Sequence, residues 1–274
     1  MLDFKEDVKN TYSVINGETI SGYEDIFFSS NENLNEIFYR LDFTDKKVLT
    51  VLGSGDQAFH FYDHNAKHVD LFDINKLTIY FFYLRIWLIE HYNKFHFPLH
   101  LGNLFLCNLL NRVTPQTEEE EIVHNYWLEL IDMLLINCKS LNSIRIDYYD
   151  SNELTEINEL DNLKVQIKQR NFNFYNIDIS KNDISIKEKY DVIYLSNITD
   201  WLLMNNKELN TLVNNLNNLL TDSGTIICAD LPRLGTAPRE EEAFQKMFNK
   251  KDLPIAREES YSDSYPPGYC YKKK

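Results

Sequence analysis

The chain has 274 residues, of which 43% are hydrophobic and 26% are charged, a composition typical of a globular protein with one or two domains. Its 28 basic and 42 acidic residues give a formal net charge of −14, which repels phosphate backbones, so nucleic-acid binding is not expected. The four cysteines form no CxxC pair, which argues against a zinc site or a disulfide framework and favours a reducing, cytoplasmic location. No signal peptide and no transmembrane segment are predicted.

Residues 1–45 are predicted to form a helical arm that precedes the main domain, residues 46–274. Within the arm, "SSNENLNEIFYRL" offers capping residues followed by apolar residues at helical spacing. The main domain begins with "KVLTVL" (47–52), a short β-branched run that predicts a buried parallel strand.

Helices and strands alternate in the next part of the chain. A helix is predicted from about Asp56 to Asn65, a strand over His68–Ile74 and a long helix from Lys76 to about Lys94. The most apolar part of the long helix, "LTIYFFYLRIWLIEHY", is too short to cross a bilayer and carries two charges. We therefore interpret it as a buried helix.

A helical insertion is predicted after the second strand, over about 95–165. In "TPQTEEEEIVHNYWLELIDMLLINCKSL" Thr117 can cap a helix, and the acids that follow favour the positive end of its dipole. We expect this insertion to form the wall of an acceptor pocket, with contributions from Leu99, Phe105, Tyr126 and Trp127.

Strands are predicted again in the last third of the chain, in "NFNFYNIDI" (171–179), "YDVIYLSNI" (190–198) and "GTIICADL" (224–231). Between the last two, "NKELNTLVNNLNNLLT" has an apolar stripe that predicts a crossover helix. Such alternation indicates an α/β, Rossmann-like fold with a doubly wound, mostly parallel sheet. The tail, including "YCYKKK", is expected to add one or two edge strands.

A glycine-containing turn follows the first predicted strand. Gly53 and Gly55 permit positive φ angles and a close approach of the backbone to a ligand, and the helix beyond them presents free N–H groups. Asp73, at the end of the second strand, can accept hydrogen bonds from both hydroxyls of a ribose. The alternative is that Asp73 only caps the helix after it.

The stretch "VLGSGDQA" resembles motif I of class I S-adenosylmethionine-dependent methyltransferases. The resemblance implies that S-adenosylmethionine is the cofactor, with the turn beside its methionine part, Asp56 facing its amino group and Asp73 holding its ribose. It also implies that Asp178 reaches the adenine amino group. The complete set of implied cofactor contacts is Gly53, Ser54, Gly55, Asp56, Gln57, Asp73, Ile74, Asn75, Asp178, Ile179, Ser196 and Asn197.

A narrower resemblance covers much of residues 20–200. The segments "ISGYEDIFFSSNENLNEI", "VLTVLGSGDQA", "DINKLTIYFFYLRIWLI", "NYWLEL" and "YLSNITDWL" resemble, in order, segments of the BtaA-like family. These proteins transfer the 3-amino-3-carboxypropyl group of S-adenosylmethionine to diacylglycerol. Ile26 and Lys76 stand where that family usually shows proline. The resemblance implies that Tyr23 and Glu24 fold over the cofactor and that Asp200 and Trp201 border the acceptor, which makes Tyr23 and Asp200 the candidates for catalysis.

Several functions are compatible with these patterns. Methyl transfer to a small molecule is the preferred one, and aminocarboxypropyl transfer to a lipid or small-molecule acceptor is the first alternative. An NAD-dependent oxidoreductase and a non-catalytic nucleotide-binding protein are further alternatives. His60, His64 and His68 are spaced by four, but the third begins a strand, so we expect solvated histidines and predict no metal site.

Overall fold

The computed structural model describes residues 2–23, 26–27, 34–38, 41–92, 102–139, 146–147, 160–169, 171–182, 184–196, 198, 206–229, 243–252 and 268–274. The predictions for Glu24, Leu99, Asn197, Asp200 and Trp201 lie outside these residues. The chain divides into two compact units. Unit 1 comprises Met1–Ser30, Gly53–Asp56 and Asp73–Lys168, and unit 2 comprises Asn31–Leu52, Gln57–Phe72 and Gln169–Lys274.

The elements are numbered here in chain order. The helices are α1 (Phe4–Ile15), α2 (Leu34–Phe38), α3 (Asp56–Asp63), α4 (Leu77–Tyr92), α5 (Gly102–Leu110), α6 (Glu118–Ile136), α7 (Leu160–Lys168) and α8 (Asn206–Leu219). The strands are β1 (Ile26–Phe27), β2 (Lys47–Val51), β3 (His68–Asp73), β4 (Ile146–Asp147), β5 (Phe174–Asn176), β6 (Tyr190–Tyr194), β7 (Leu220–Ala229), β8 (Phe248–Asp252) and β9 (Gly268–Lys273).

Unit 2 contains a seven-stranded sheet in the order β5-β3-β2-β6-β7-β9-β8. Strand β2 pairs in parallel with β3 and β6, and β6 pairs in parallel with β7. Strand β9 is antiparallel to both β7 and β8. The five strands β5-β3-β2-β6-β7 follow the Rossmann-like order. The chain begins this part of the sheet at its central strand, β2, continues outward through β3 to β5, and then returns to place β6 and β7 on the other side of β2. The predicted doubly wound, mostly parallel α/β fold is confirmed.

Both faces of this sheet are covered, as the alternation of side chains along β6 shows. Ile193 belongs to an apolar cluster with residues of α8, namely Leu209, Leu212, Val213 and Leu216. The ring of the next residue, Tyr194, lies 6.0 Å from that of Phe38 and 5.9 Å from that of Phe61, on α2 and α3. Because successive strand residues point to opposite faces, α8 covers one face and α2 with α3 covers the other.

Several strand boundaries differ from the predicted ones; β6, for example, ends at Tyr194 and not at residue 198. Two of the differences have a clear structural cause. Strand β7 begins at Leu220, four residues before the predicted start at Gly224, because a register shift between Tyr190 and Val192 lets Leu220 pair with Tyr190. Strand β5 ends at Asn176, before the predicted end at residue 179, because the carboxylate of Asp178 accepts hydrogen bonds from the residue two positions on and turns the chain.

A buried polar cluster lies at the beginning of β3 and β6. His68 Nε2 lies 2.6 Å from Asp70 Oδ1, and the hydroxyl of Tyr190 donates to Asp70 Oδ2 at 2.7 Å. The hydrogen bond to Asp70 raises the pKa of His68. Burial raises the pKa of Asp70, but the hydrogen bonds from His68 and Tyr190 outweigh it, so the pKa of Asp70 is lowered overall.

The histidine of α3, His60, differs from the prediction. His60 is buried, and its ring lies 5.2 Å from that of Phe38, so it is part of the aromatic cluster and not a solvated helix residue. The periodicity alone did not show that α2 would cover this face of α3. Among the residues that the structure describes, no group of histidine, cysteine or acidic side chains could hold a metal ion.

Unit 1 is built around α4, which is buried at every position from Leu77 to Ile89. The indole N–H of Trp127 on α6 donates to the carbonyl of Tyr80 at 3.1 Å, and the ring of Tyr126 stacks on that of Tyr80 at 3.7 Å. Tyr126 and Trp127 therefore pack α6 on α4 and do not form the wall of an open pocket. In the described parts of the chain no helix is long and apolar enough to span a membrane.

Candidate functional site

The predicted turn follows β2 directly and leads into α3. Gly53 and Gly55 have φ angles of 49° and 86°, a region that residues with a Cβ rarely adopt. A Cβ on Gly55 would lie 2.8 Å from Cδ2 of Phe82 on α4, closer than van der Waals contact allows. Glycine at position 55 is thus required by its backbone angle and also by the packing of α4 behind the turn.

The carboxylate of Asp73 connects the two loops that the sequence singled out. Its Oδ2 accepts the N–H of Gly53 at 3.0 Å, and its Oδ1 accepts the N–H of Asn75 at 2.9 Å. The side chain of Asn75, and not that of Asp73, accepts the N–H of Leu77 at 3.0 Å at the start of α4. Asp73 is 9% exposed. A role restricted to capping α4 therefore does not account for Asp73, whereas a carboxylate oriented by both loops fits a binding site.

Arg85, which the sequence did not single out, lies behind the turn. Its Nη2 donates to Asp56 Oδ1 at 2.5 Å, and its Nη1 donates to the carbonyl of Ser54. The hydroxyl of Ser54 lies 3.0 Å from Asp56 Oδ2. Both oxygens of Asp56 therefore have partners within the protein, and the side chain is fully buried. Asp56 therefore holds the shape of the turn through Arg85, and its contact with a ligand amino group stays a prediction.

The first part of the N-terminal arm, residues 2–23, lies against the loop that follows Asp73. The backbone N–H of Lys76 donates to the carbonyl of Gly22 at 2.9 Å. Ile74 is 41% exposed, and a Cβ added to Gly22 would lie 3.5 Å from the carbonyl oxygen of Ile74. Tyr23 is buried, and its hydroxyl donates to Asp7 Oδ1. Burial and this hydrogen bond raise the pKa of Tyr23, so its hydroxyl stays protonated near neutral pH.

The other predicted contacts belong to unit 2. Gln57 is buried in the first turn of α3, and Ile179 is part of the apolar cluster under α8. Asp178 Oδ1 accepts the N–H of Ser180 at 2.9 Å and its hydroxyl at 2.6 Å. Ser196 follows β6 with a φ angle of 55° and is buried. Cofactor contacts at these four positions stay predictions, as do those at the positions described above.

Comparisons with known proteins align the chain with solved structures of methyltransferases. A TehB-like S-adenosylmethionine-dependent methyltransferase from Corynebacterium glutamicum is 10% identical, with a TM-score of 0.47, and the alignment covers 99% of this chain and 96% of that one. The N-methyltransferase NodS from Bradyrhizobium japonicum, in complex with S-adenosylhomocysteine, is 9% identical, with a TM-score of 0.44 and coverage of 96% and 98%.

A third aligned structure is the ribosomal protein L11 methylase from Lactobacillus delbrueckii, which is 13% identical, with a TM-score of 0.39 and coverage of 85% of this chain and 72% of that one. No protein-family model matches the chain, and no curated protein sequence does. The fold is Rossmann-like. At these identities and TM-scores that assignment depends on the strand order of the sheet and not on the alignments.

Proposed function

We propose that the protein is an S-adenosylmethionine-dependent transferase. The observation that carries the proposal is the hydrogen bond from Gly53 N–H to the carboxylate of Asp73, which brings the turn after β2 and the end of β3 together. In doubly wound folds the nucleoside lies at such strand ends, with a carboxylate at this place bound to its ribose. The resemblance of "VLGSGDQA" to motif I favours S-adenosylmethionine over a dinucleotide.

The residues of the turn fit this cofactor. Its methionine part carries a carboxylate, which an unpaired acid in the turn would repel. Because Arg85 forms an ion pair with Asp56 inside the protein, the charge of Arg85 balances that of the acid, and the turn can present its backbone N–H groups to an anion. The fixed carboxylate of Asp73 supplies an acceptor for hydroxyl groups, which is the chemistry that a ribose requires.

When bound, S-adenosylmethionine supplies an electrophilic carbon next to a positively charged sulfur, so the protein mainly has to orient a nucleophile and exclude water. We propose methyl transfer to a small molecule as the reaction. Transfer of the 3-amino-3-carboxypropyl group to a lipid or small-molecule acceptor is the alternative, supported by the resemblance to the BtaA-like family. The by-product separates the two reactions, since methyl transfer leaves S-adenosylhomocysteine and aminocarboxypropyl transfer leaves methylthioadenosine.

Titration calorimetry with S-adenosylmethionine and S-adenosylhomocysteine tests the cofactor. We expect the wild type to bind both compounds. Asp73→Asn should weaken the binding of each compound at least about tenfold, since a hydrogen bond to a charged acceptor contributes roughly 1.5–3 kcal/mol. Asp132→Asn is the matched control, because Asp132 is an exposed carboxylate on α6, and it should bind as the wild type does.

Three results would contradict the proposal. Failure of the wild type to bind either compound removes the cofactor. Tight binding of NADH in a fluorescence titration points instead to the oxidoreductase. Binding without turnover of any acceptor in a broad screen points to a nucleotide-binding protein without catalysis.

A further inference from the structure

A fully buried carboxylate, that of Asp7 on α1, ties the N-terminal arm to the helix that follows the proposed ribose site. Asp7 Oδ1 accepts from the hydroxyl of Tyr23 and from Lys76 Nζ at 3.2 Å. Asp7 Oδ2 accepts from the hydroxyl of Tyr80 at 2.5 Å and from the N–H of Asp3 at 3.1 Å. A carboxylate has about four lone-pair sites, so these four donors saturate it.

The electrostatics keep Lys76 and Tyr80, two partners of Asp7, in the forms that donate hydrogen bonds. Burial alone lowers the pKa of Lys76, but the charge of Asp7 outweighs it and raises that pKa overall, so the ammonium group balances the buried carboxylate. Burial, and then the hydrogen bond to Asp7, raise the pKa of Tyr80, which therefore remains a donor. A carboxylate whose lone pairs are all occupied by donors of the protein is suited to hold those donors in position.

Two of the structures that Asp7 holds meet at the loop that follows Asp73. On the arm, residues 20–23 form a turn in which the N–H of Tyr23 donates to the carbonyl of Ile20 at 3.1 Å, with Gly22 at a φ angle of 82°. In the loop after Asp73, Lys76 donates its backbone N–H to the carbonyl of Gly22 at 2.9 Å. The arm and this loop are thus joined twice, through the backbone and through Asp7.

We propose that Asp7 is a positioning residue of the cofactor site. It holds the 20–23 turn of the arm on the Asp73–Lys76 loop, so docking of the arm and binding of S-adenosylmethionine favour each other. The inference depends on the proposed function and adds a residue and a segment to that site. It also assigns Tyr23 a positioning role, because its hydroxyl is engaged by Asp7 and is not directed to a reacting atom. Thermodynamic reciprocity then requires that bound cofactor also stabilise the docked arm.

A second contact of α1 provides the matched control. Thr11 lies one turn after Asp7 on the same helix, and its hydroxyl lies 2.9 Å from that of Tyr126 on α6. Thr11→Val keeps the shape of the side chain and removes this bond between the arm and α6, together with the bond that the Thr11 hydroxyl donates to the backbone carbonyl of Asp7 at 2.7 Å, but it leaves every donor of the Asp7 carboxylate in place. Asp7→Asn should cost more stability than Thr11→Val, because it disrupts a charged cluster and not one neutral hydrogen bond, so the two variants are compared for ligand affinity under conditions in which both are folded. A positioning role requires that Asp7 affect ligand affinity more.

The experiment compares the wild type, Asp7→Asn and Thr11→Val by titration with S-adenosylhomocysteine and by amide hydrogen exchange. We expect Asp7→Asn to weaken binding about tenfold, within the usual range of coupling between sites, and Thr11→Val to change it less than about threefold. Bound S-adenosylhomocysteine should slow exchange of the Lys76 amide in the wild type and in Thr11→Val, and should do so much less in Asp7→Asn. If Asp7→Asn does not fold, Tyr23→Phe removes one of the four hydrogen-bond donors to Asp7. This variant should weaken the binding of S-adenosylhomocysteine about threefold, and the bound ligand should protect the Lys76 amide less from exchange than in the wild type.

The outcomes separate the inference from the function on which it depends. If Asp7→Asn or Tyr23→Phe binds as tightly as the wild type, the positioning role is wrong and the proposed cofactor stands. If Thr11→Val loses as much affinity as Asp7→Asn, the arm is only structural and the inference is likewise wrong. If the wild type binds neither S-adenosylhomocysteine nor S-adenosylmethionine, the proposed function is wrong and the inference falls with it.

Discussion

Removal of Arg85 should destabilise unit 1 more than any change to a surface charge. The variant Arg85→Met keeps most of the length of the side chain and its apolar contacts on α4, but removes the guanidinium. It leaves the buried carboxylate of Asp56 without its charged partner and the carbonyl of Ser54 without the N–H of Arg85.

The size of the effect follows from burial. Both members of the pair are almost completely shielded from water, with side chains 2% and 0% exposed for Arg85 and Asp56. Removing one partner of a buried ion pair typically costs 3–5 kcal/mol of unfolding free energy, so we expect a loss of about 4 kcal/mol. The Lys47–Glu188 pair, with side chains 28% and 61% exposed, is the control, and Lys47→Met should cost less than about 1 kcal/mol.

Urea denaturation followed by fluorescence measures these losses, and a double-mutant cycle assigns them to the pair. Asp56→Asn combined with Arg85→Met removes the isolated charge, so the double variant should be more stable than Arg85→Met by roughly 2 kcal/mol. A loss below about 1 kcal/mol in Arg85→Met, or additive losses in the double variant, would refute the buried pair as the support of the turn.

Two further predictions concern the turn and the pH dependence of stability. Gly55→Ala should cost about 2–3 kcal/mol and abolish cofactor binding because its Cβ would clash with Phe82, whereas Gly17→Ala, with a similar φ angle but open space, should cost only about 1 kcal/mol in urea denaturation. Because the pKa of His68 is raised, the stabilisation from its protonated form is complete below the unfolded pKa of 6.5 and is lost as the pH rises through the folded pKa. Because the pKa of Asp70 is lowered, the stabilisation from its carboxylate is present above the unfolded pKa of 3.8 and is lost as the pH falls through the folded pKa. Unfolding midpoints should therefore fall above about pH 6.5, and His68→Gln should remove that fall; an unchanged pH profile in this variant would contradict the pairing.

Much of the fold could be predicted because it depends on local patterns. The runs "KVLTVL" and "HVDLFDI" are short, apolar and bounded by turn residues, which is sufficient to identify buried parallel strands, and the stripe of α8 identified a crossover helix. The start of β7 was predicted too late, since the register shift that moves it to Leu220 depends on its partner strand and leaves no periodic signal.

The supports of the candidate site could not be predicted for a different reason. Helix α4 is apolar on all sides, so its sequence has no polar face. Periodicity therefore cannot show in which direction the side chain of Arg85 points. Its partner Asp56 lies 29 residues earlier in the chain. Asp7 resembles any acid in the first turn of a helix, and only its contacts with Tyr80 and Lys76, about 70 residues away, reveal its burial.

The burial of two indole rings in unit 1 has a practical use in spectroscopy. Trp87 and Trp127 are both shielded from water there, and the third tryptophan of the chain is Trp201. In a Trp201→Phe protein, all indole emission would come from unit 1, while far-ultraviolet circular dichroism would also report on the sheet. Comparison of the two signals during denaturation would show whether the units melt in one step or in two.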